Sequence, residues 1–514
     1  MGELMRVSIP DLGQYGILPD VAPQDLPINA WSGGKNVVFR DGYVYRVRGE
    51  GQFSNTPSVT PYFITPYTTA ASRFWVHAGL SKVYADDGTT LTDITGTAPT
   101  GTASDRWTGG VVNGVLALNN AVDVPTYWGG DTGVNLATLP GWDSGWRANF
   151  LRPHKRHLFA GHITKSGTVY PHMVKVSSAA APGSIPSSWD ETDPALDTYE
   201  NDLAETPGVL VDMIPLGDTA VFYKEDAMYS LQYVGGTDLW RPERLPGSVG
   251  MLAPGCGVQT PQGHVILAPG DVILHAGQGP RSILTGRAKR YLRNRLDASD
   301  YARSFVTANP ERSEVWVCFP EAGQSDCTLA IVWNWESDTI GFRQLVATTY
   351  GAFGQINTDA AQTWNAQTES WDNSLGAWDA SEYSQASQRL LLSQAAPRIS
   401  LVDSALSFNG TDISAYVERA GLALNEPDRV KLLRSVVPKI DAPTGTVLTI
   451  TVGGSMDAEQ APTIQGTATY TVGSTYKADL FATGRFLYIK ISSSSRQEWR
   501  LRSLDLDVEM LGAY

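Results

Sequence analysis

The chain has 514 residues, a formal net charge of −14 and an isoelectric point near 5.0, with 42% hydrophobic and 18% charged residues. A protein built to grip phosphates carries the opposite sign, so the acidity argues against a nucleic-acid clamp, while leaving room for a wall along which nucleic acid passes without sticking. Three cysteines, Cys256, Cys318 and Cys327, make no disulfide framework, although Cys318 and Cys327 flank one hairpin turn and could face each other. No apolar run reaches the ~18 residues of a membrane span. The start, Met1 to Val7, lacks the apolar core of a signal peptide, so synthesis and assembly in a cytoplasm are expected.

Residues 1–60 read as an extended arm ending in a hairpin. Pro10, Pro19, Pro23 and Pro27 interrupt regular helix, and Gly16 to Trp31 looks like a strap laid over another surface. Asn36 to Arg40, an Asp41-Gly42 turn and Tyr43 to Arg48 then form a hairpin, because Asp-Gly supplies the positive φ of a tight turn. Residues 61–359 are a run of such hairpins, turning at Asn113-Gly114, Leu216-Gly217-Asp218, Pro261-Gln262-Gly263 and Glu321-Ala322-Gly323. Their recurrence at roughly 40 to 55 residues is the rhythm of four-stranded blades. The expected fold is therefore mostly β, with a β-propeller-like domain; two packed sandwiches would keep a similar spacing. Trp107, Trp128, Trp142 and Trp146 read as blade packing rather than as a sugar platform.

The stretch 286–296 is the one clear helical pattern, with Ala288, Leu292 and Leu296 on one face. Arg287, Lys289, Arg290, Arg293 and Arg295 crowd the rest. They are candidate contacts for DNA or an acidic partner, or else a solvated face paired with local carboxylates. Residues 360–397 form a polar insertion in which Trp364, Trp371 and Trp378 recur every seven residues. Aromatic anchors in polar surroundings suit a partner interface. Residues 398–514 alternate as half-buried strands do at Val447 to Val452 and Ala468 to Val472, and with the further strand Phe486 to Ile491 they predict a C-terminal β-sandwich.

The order Asp20, Leu26-Pro27, Ala30-Trp31, Asn36-Val37-Val38-Phe39-Arg40-Asp41-Gly42 and Arg48-Gly49 resembles the N-terminal signature of the tail nozzle or hub proteins of short-tailed bacteriophages, also called packaged-DNA stabilisation proteins. Asp412 to Leu422, Lys431, Pro438, Gly484-Arg485-Phe486 and Trp499-Arg500-Leu501 resemble the C-terminal domain of the same family, in the same order. The resemblance implies a structural virion protein that forms a homohexameric ring below the portal and lines the DNA exit channel. It implies contacts with the head-to-tail adaptor and with fibre, spike or needle proteins, and passage of double-stranded DNA without sequence specificity. Trp31, Phe39 and Arg40 in the signature, with Trp364, Trp371 and Trp378, are the expected interface residues.

No nucleophile elbow, phosphate-binding loop, dinucleotide fingerprint or zinc-protease motif is present, so no catalytic residue, cofactor or metal is expected. His154, His157 and His162 lie close in sequence and are the only hint of a metal site. The alternative function is a carbohydrate-binding or glycan-hydrolysing propeller, an adhesin or depolymerase, whose mark would be carboxylates and arginine converging in one pocket.

Overall fold

The turns fix the hairpins. Asp41 and Gly42 sit at φ 50° and 75°, and Asn113 and Gly114 at 50° and 87°, the left-handed pair that matches the right-handed twist of flanking strands. The computed structural model describes residues 4–19, 21–69, 72–236, 239–277, 279–284, 288–356 and 388–513.

Among these, the hairpins build seven four-stranded blades. Five are contiguous, beginning with the strands Phe63–Thr68, Thr108–Val112, Trp146–His154, Leu210–Leu216 and Gly257–Thr260. Blade 6 begins with Phe305–Asn309 and ends in the first half of a 17-residue strand, Thr339–Gln355. That strand kinks at Ala347, which has φ 35°, and its register shifts between Thr348 and Tyr350. Its second half, 348–355, is the inner strand of blade 7. It pairs with Gln388–Gln394, which pairs with Arg398–Ala405, and the outermost strand is Gly49–Gln52 from the N-terminal segment. The seven inner strands contact one another in order, and 348–355 touches Phe63–Thr68 to close the ring. The approach there is tight: a Cβ at Gly354 would lie 2.6 Å from Pro66. A closed ring of blades leaves each inner strand one short edge, sheltered at the axis.

The sandwich packs two sheets. One runs Val37–Arg40, Tyr43–Arg46, Arg500–Ala513, Arg429–Asp441, Ala478–Gly484, with Leu4–Ile9 also paired to Arg500–Ala513. The other runs Gly33–Lys35, Ala415–Leu422, Phe486–Ser493, Val447–Ser455, Thr463–Thr471. The first sheet is continuous with blade 6, because Val37 pairs with Phe342. A single apolar cluster follows the same path, from Val221 and Val265 in blades 4 and 5 through Trp333 in blade 6 to Leu448 and Leu506 in the sandwich.

Two placements differ from the sequence reading. Residues 1–60 are more than an extended arm with one hairpin: on either side of Gly16 to Trp31, which holds no strand, they supply strands to both sandwich sheets and to blade 7. Residues 388–405, divided in the sequence reading between the polar insertion and the sandwich, are the second and third strands of blade 7. The first difference comes from pairings between residues hundreds of positions apart, and the second from a strand pair that brackets the polar insertion together with the remote strand Gly49–Gln52; local patterning encodes neither. Among the described residues no helix is long and apolar enough to cross a membrane.

Candidate interaction surfaces

The N-terminal signature faces inward. Trp31 is 2% exposed and its indole Nε1 donates to the Leu12 carbonyl at 2.8 Å. Phe39 is equally buried, and its carbonyl accepts from Thr339 Oγ1 at 3.2 Å. Neither presents a side chain to a partner, which corrects their assignment as interface residues: their apolar surface is already consumed where hairpin, blade 6 and sandwich meet. Arg40 is half-buried. Its Nε lies 3.5 Å from Glu314 Oε1, its guanidinium stacks 5.3 Å from the Tyr45 ring, and it borders an open polar cleft of about 710 Å³ with Asp11, Asp41, Arg312 and Glu336. Asn36, named in the signature but given no role in the sequence reading, pins this junction. At φ 57° and fully buried, it donates from Nδ2 to Ser414 O at 2.8 Å and accepts at Oδ1 from Gln344 N at 2.8 Å. An asparagine before a strand is the usual non-glycine occupant of such a backbone conformation, and that was the available signal.

The helix forms as Ala288–Arg295, burying Ala288 and Leu292. Its cations are engaged locally. Lys289 Nζ is 2.6 Å from Asp271, Arg293 Nε donates to Gly270 O at 3.2 Å, and Arg295 pairs with Glu321 at 2.7 Å while stacking on Tyr291. Arg290 is exposed. The pairs with Asp271 and Glu321 fit the reading in which neighbouring carboxylates answer the helix. Arg287, Trp364, Trp371 and Trp378 lie outside the described residues.

The propeller axis holds a cluster that touches every blade. Tyr350 of blade 7 packs 5.0 Å from Phe63 of blade 1 and 5.4 Å from Phe305 of blade 6. Arg106, leading into blade 2, lies 5.7 Å from the Tyr350 ring and is 7% exposed. Arg152 of blade 3 donates through Nε and Nη2 to the two carboxylate oxygens of Asp212 in blade 4, at 2.8 and 2.6 Å. Asp212 also accepts from the Gly255 amide, leading into blade 5, at 2.8 Å. Burial pulls the Arg152 pKa down, but the adjoining Asp212 carboxylate outweighs it and the net shift is upward. A second buried ion group closes blade 7. Arg343 donates to Asp403 at 2.9 Å and to the Arg48 carbonyl at 3.0 Å, sits 3.6 Å from Glu50, and stacks on Trp316.

Of the three histidines close in sequence, His162 is half-buried and its Nδ1 has no hydrogen-bond partner. His154 and His157 bond backbone carbonyls of Asp218 and Ser177, and among the described residues no group of three or more His, Cys, Asp or Glu could hold a metal ion. The three cysteines are free and buried. His264 donates from Nε2 to Pro215 O at 2.8 Å, so its Nδ1 accepts the Tyr223 hydroxyl at 2.7 Å; that hydroxyl in turn accepts from His275 Nδ1 at 3.1 Å. Burial, against the Pro215 bond, pushes the His264 pKa down to about 4, and burial pushes that of His77 to about 3. These side chains are neutral in the fold. Above the unfolded value of about 6.5 neither state binds the proton and stability is flat. Below it the unfolded chain takes up protons that the fold refuses. The urea midpoint should therefore fall between about pH 6.5 and 4.5, and His264→Gln should flatten part of that slope, His264 alone contributing about 3 kcal/mol in full. A midpoint constant down to pH 4.5 would contradict the burial.

No family profile and no curated protein matches the chain. Solved structures overlap it at the level of architecture. The WD40 propeller domain of Doa1 is 10% identical over 69% of this chain and 97% of its own, with a TM-score of 0.39. The Cps50 (Swd1) propeller of Myceliophteria thermophila is 9% identical over 68% and 98%, at 0.38. PorZ, a surface component of the type IX secretion system of Porphyromonas gingivalis, is 10% identical over 74% and 44%, at 0.32. The propeller rests on the strand pairing described above.

Proposed function

We propose that this chain is a structural subunit of the tail of a short-tailed phage, assembling as a ring below the portal and adaptor, lining the DNA exit path and anchoring a fibre, spike or needle. The observation that carries this reading is where the signature folds. The residues that resemble the nozzle family, Trp31 and Asn36 to Gly42, are the ones that weld propeller to sandwich through the Val37–Phe342 pairing and the Asn36 bonds. A wall segment around pressurised DNA needs two rigid bodies that do not hinge, and a continuous sheet with a shared core supplies that. The net charge of −14 suits a passage that releases a polyanion.

The test is assembly. Light scattering on the chain mixed with the head-to-tail adaptor protein of its own phage should give a complex containing a hexamer of the 55.6 kDa chain. Cryo-electron microscopy of the intact virion should then place that ring on the tail axis. Subunits located away from the axis, or missing from the particle, would overturn the proposal.

A further inference from the structure

Between blades 6 and 7 lies a cavity of about 210 Å³. One side is polar, with Asn309, Arg312 and Arg389 beside two carboxylates, Glu311 and Asp403, that are already paired to Arg389 and Arg343; the other is apolar, with Leu390, Leu401 and Val402. Asn309 ends the inner strand of blade 6, is 3% exposed, and its Oδ1 has no hydrogen-bond partner. Arg389 is held in place by Glu311, with Nη1 to Oε2 at 3.0 Å. Arg312 borders both this cavity and the larger cleft, and among the described residues its guanidinium has no ion-pair partner.

We propose that this cavity binds one carboxylate-bearing sugar residue of the uronic acid type. A guanidinium fork matches a carboxylate in plane and spacing, and Arg312 is available to take one. A buried amide oxygen without a donor is costly, and a sugar hydroxyl supplies the donor. The leucine and valine wall suits the C–H face of a pyranose ring and has nothing to offer a bare phosphate. The volume, about seven waters' worth of liquid, is the scale of one ring rather than of a peptide or a base pair. The inference does not rest on the ring proposal, since hexamer formation and sugar binding are separate readouts.

Titration of the full chain with glucuronate, glucose and inorganic phosphate, followed by calorimetry and by saturation transfer in the ligand spectrum, tests it. Glucuronate should bind, with glucose and phosphate each weaker by about tenfold or more. Arg312→Gln should weaken glucuronate by a similar factor, with an unchanged unfolding midpoint because the side chain has no ion-pair partner to lose. Leu401→Phe, which fills the cavity and leaves Arg312 in place, should abolish binding. Arg496→Gln, on the sandwich rim, should bind as the unaltered chain does. Equal binding of glucose or of phosphate, no binding of glucuronate, or an Arg312→Gln chain that binds normally would each overturn the assignment.

Discussion

Removal of residues 1–52 should leave a chain without a cooperative unfolding transition. The loss is threefold. Blade 7 loses its outermost strand, Gly49–Gln52, and with it Glu50, the buried carboxylate beside Arg343. Each sandwich sheet loses strands, including Val37–Arg40, which joins the sandwich to blade 6. The shared core loses Ile9, Ile17, Trp31, Val37, Phe39 and Val44, all 2% exposed or less. Truncating one large buried apolar side chain costs about 2–5 kcal/mol, and a folded protein typically has only about 5–15 kcal/mol in hand. Near-ultraviolet circular dichroism and urea titration of the 53–514 fragment read the outcome. Co-expression of residues 1–52 as a separate peptide should recover folded protein. A truncated chain that unfolds sharply, with native aromatic signals, would mean that the N-terminal strands are ornaments on a fold that stands without them.

Asp212→Ala should destabilise the chain by about 3–5 kcal/mol, the range for removing one partner of a buried ion pair. The substitution leaves the Arg152 guanidinium without its counter-charge and the Gly255 amide without an acceptor, so three blades lose a common tie. Asp212→Asn keeps an acceptor for Gly255 but still strands the arginine, so it should fall between. Replacing the pair together, Arg152→Met with Asp212→Leu, should recover much of the loss, because the cost lies in the uncompensated charge more than in the absent bond. Urea midpoints of the four chains decide this. A loss under about 1 kcal/mol for Asp212→Ala would mean that water reaches the axis and screens the pair.

Much of the blade architecture was legible because hairpins are local. Asn113-Gly114 and Asp41-Gly42 declare their turns through side chains that tolerate positive φ, and alternation marks the sandwich strand at 447–452. Blade 7 was not legible. Its inner strand continues from blade 6 without a turn residue, the only break being the kink at Ala347, and its outer strand comes from the other end of the sequence. The inward placement of Trp31 and Phe39 was hidden for the same reason. An aromatic residue in a polar, proline-rich stretch reads as exposed until the long-range partner that covers it is known. The cavity beside Arg312 draws its lining from Arg48, residues 309–312, Ile356, and residues 389–390 and 401–404, and no spacing in the sequence announces that convergence.

The position of Gly49–Gln52 also governs the order of events during synthesis. The ribosome makes this segment early, yet its neighbour Arg398–Ala405 and the closing strand Arg500–Ala513 emerge some 350 to 450 residues later. At about 5–20 residues per second, the leading segment waits for roughly 20 to 90 seconds with its hydrogen-bonding edges bare. During that wait the blades already made form an open arc, and a nearby nascent chain offers the same missing strand. Slower translation or denser polysomes should therefore raise the share of chains that exchange the leading strand with a sister chain.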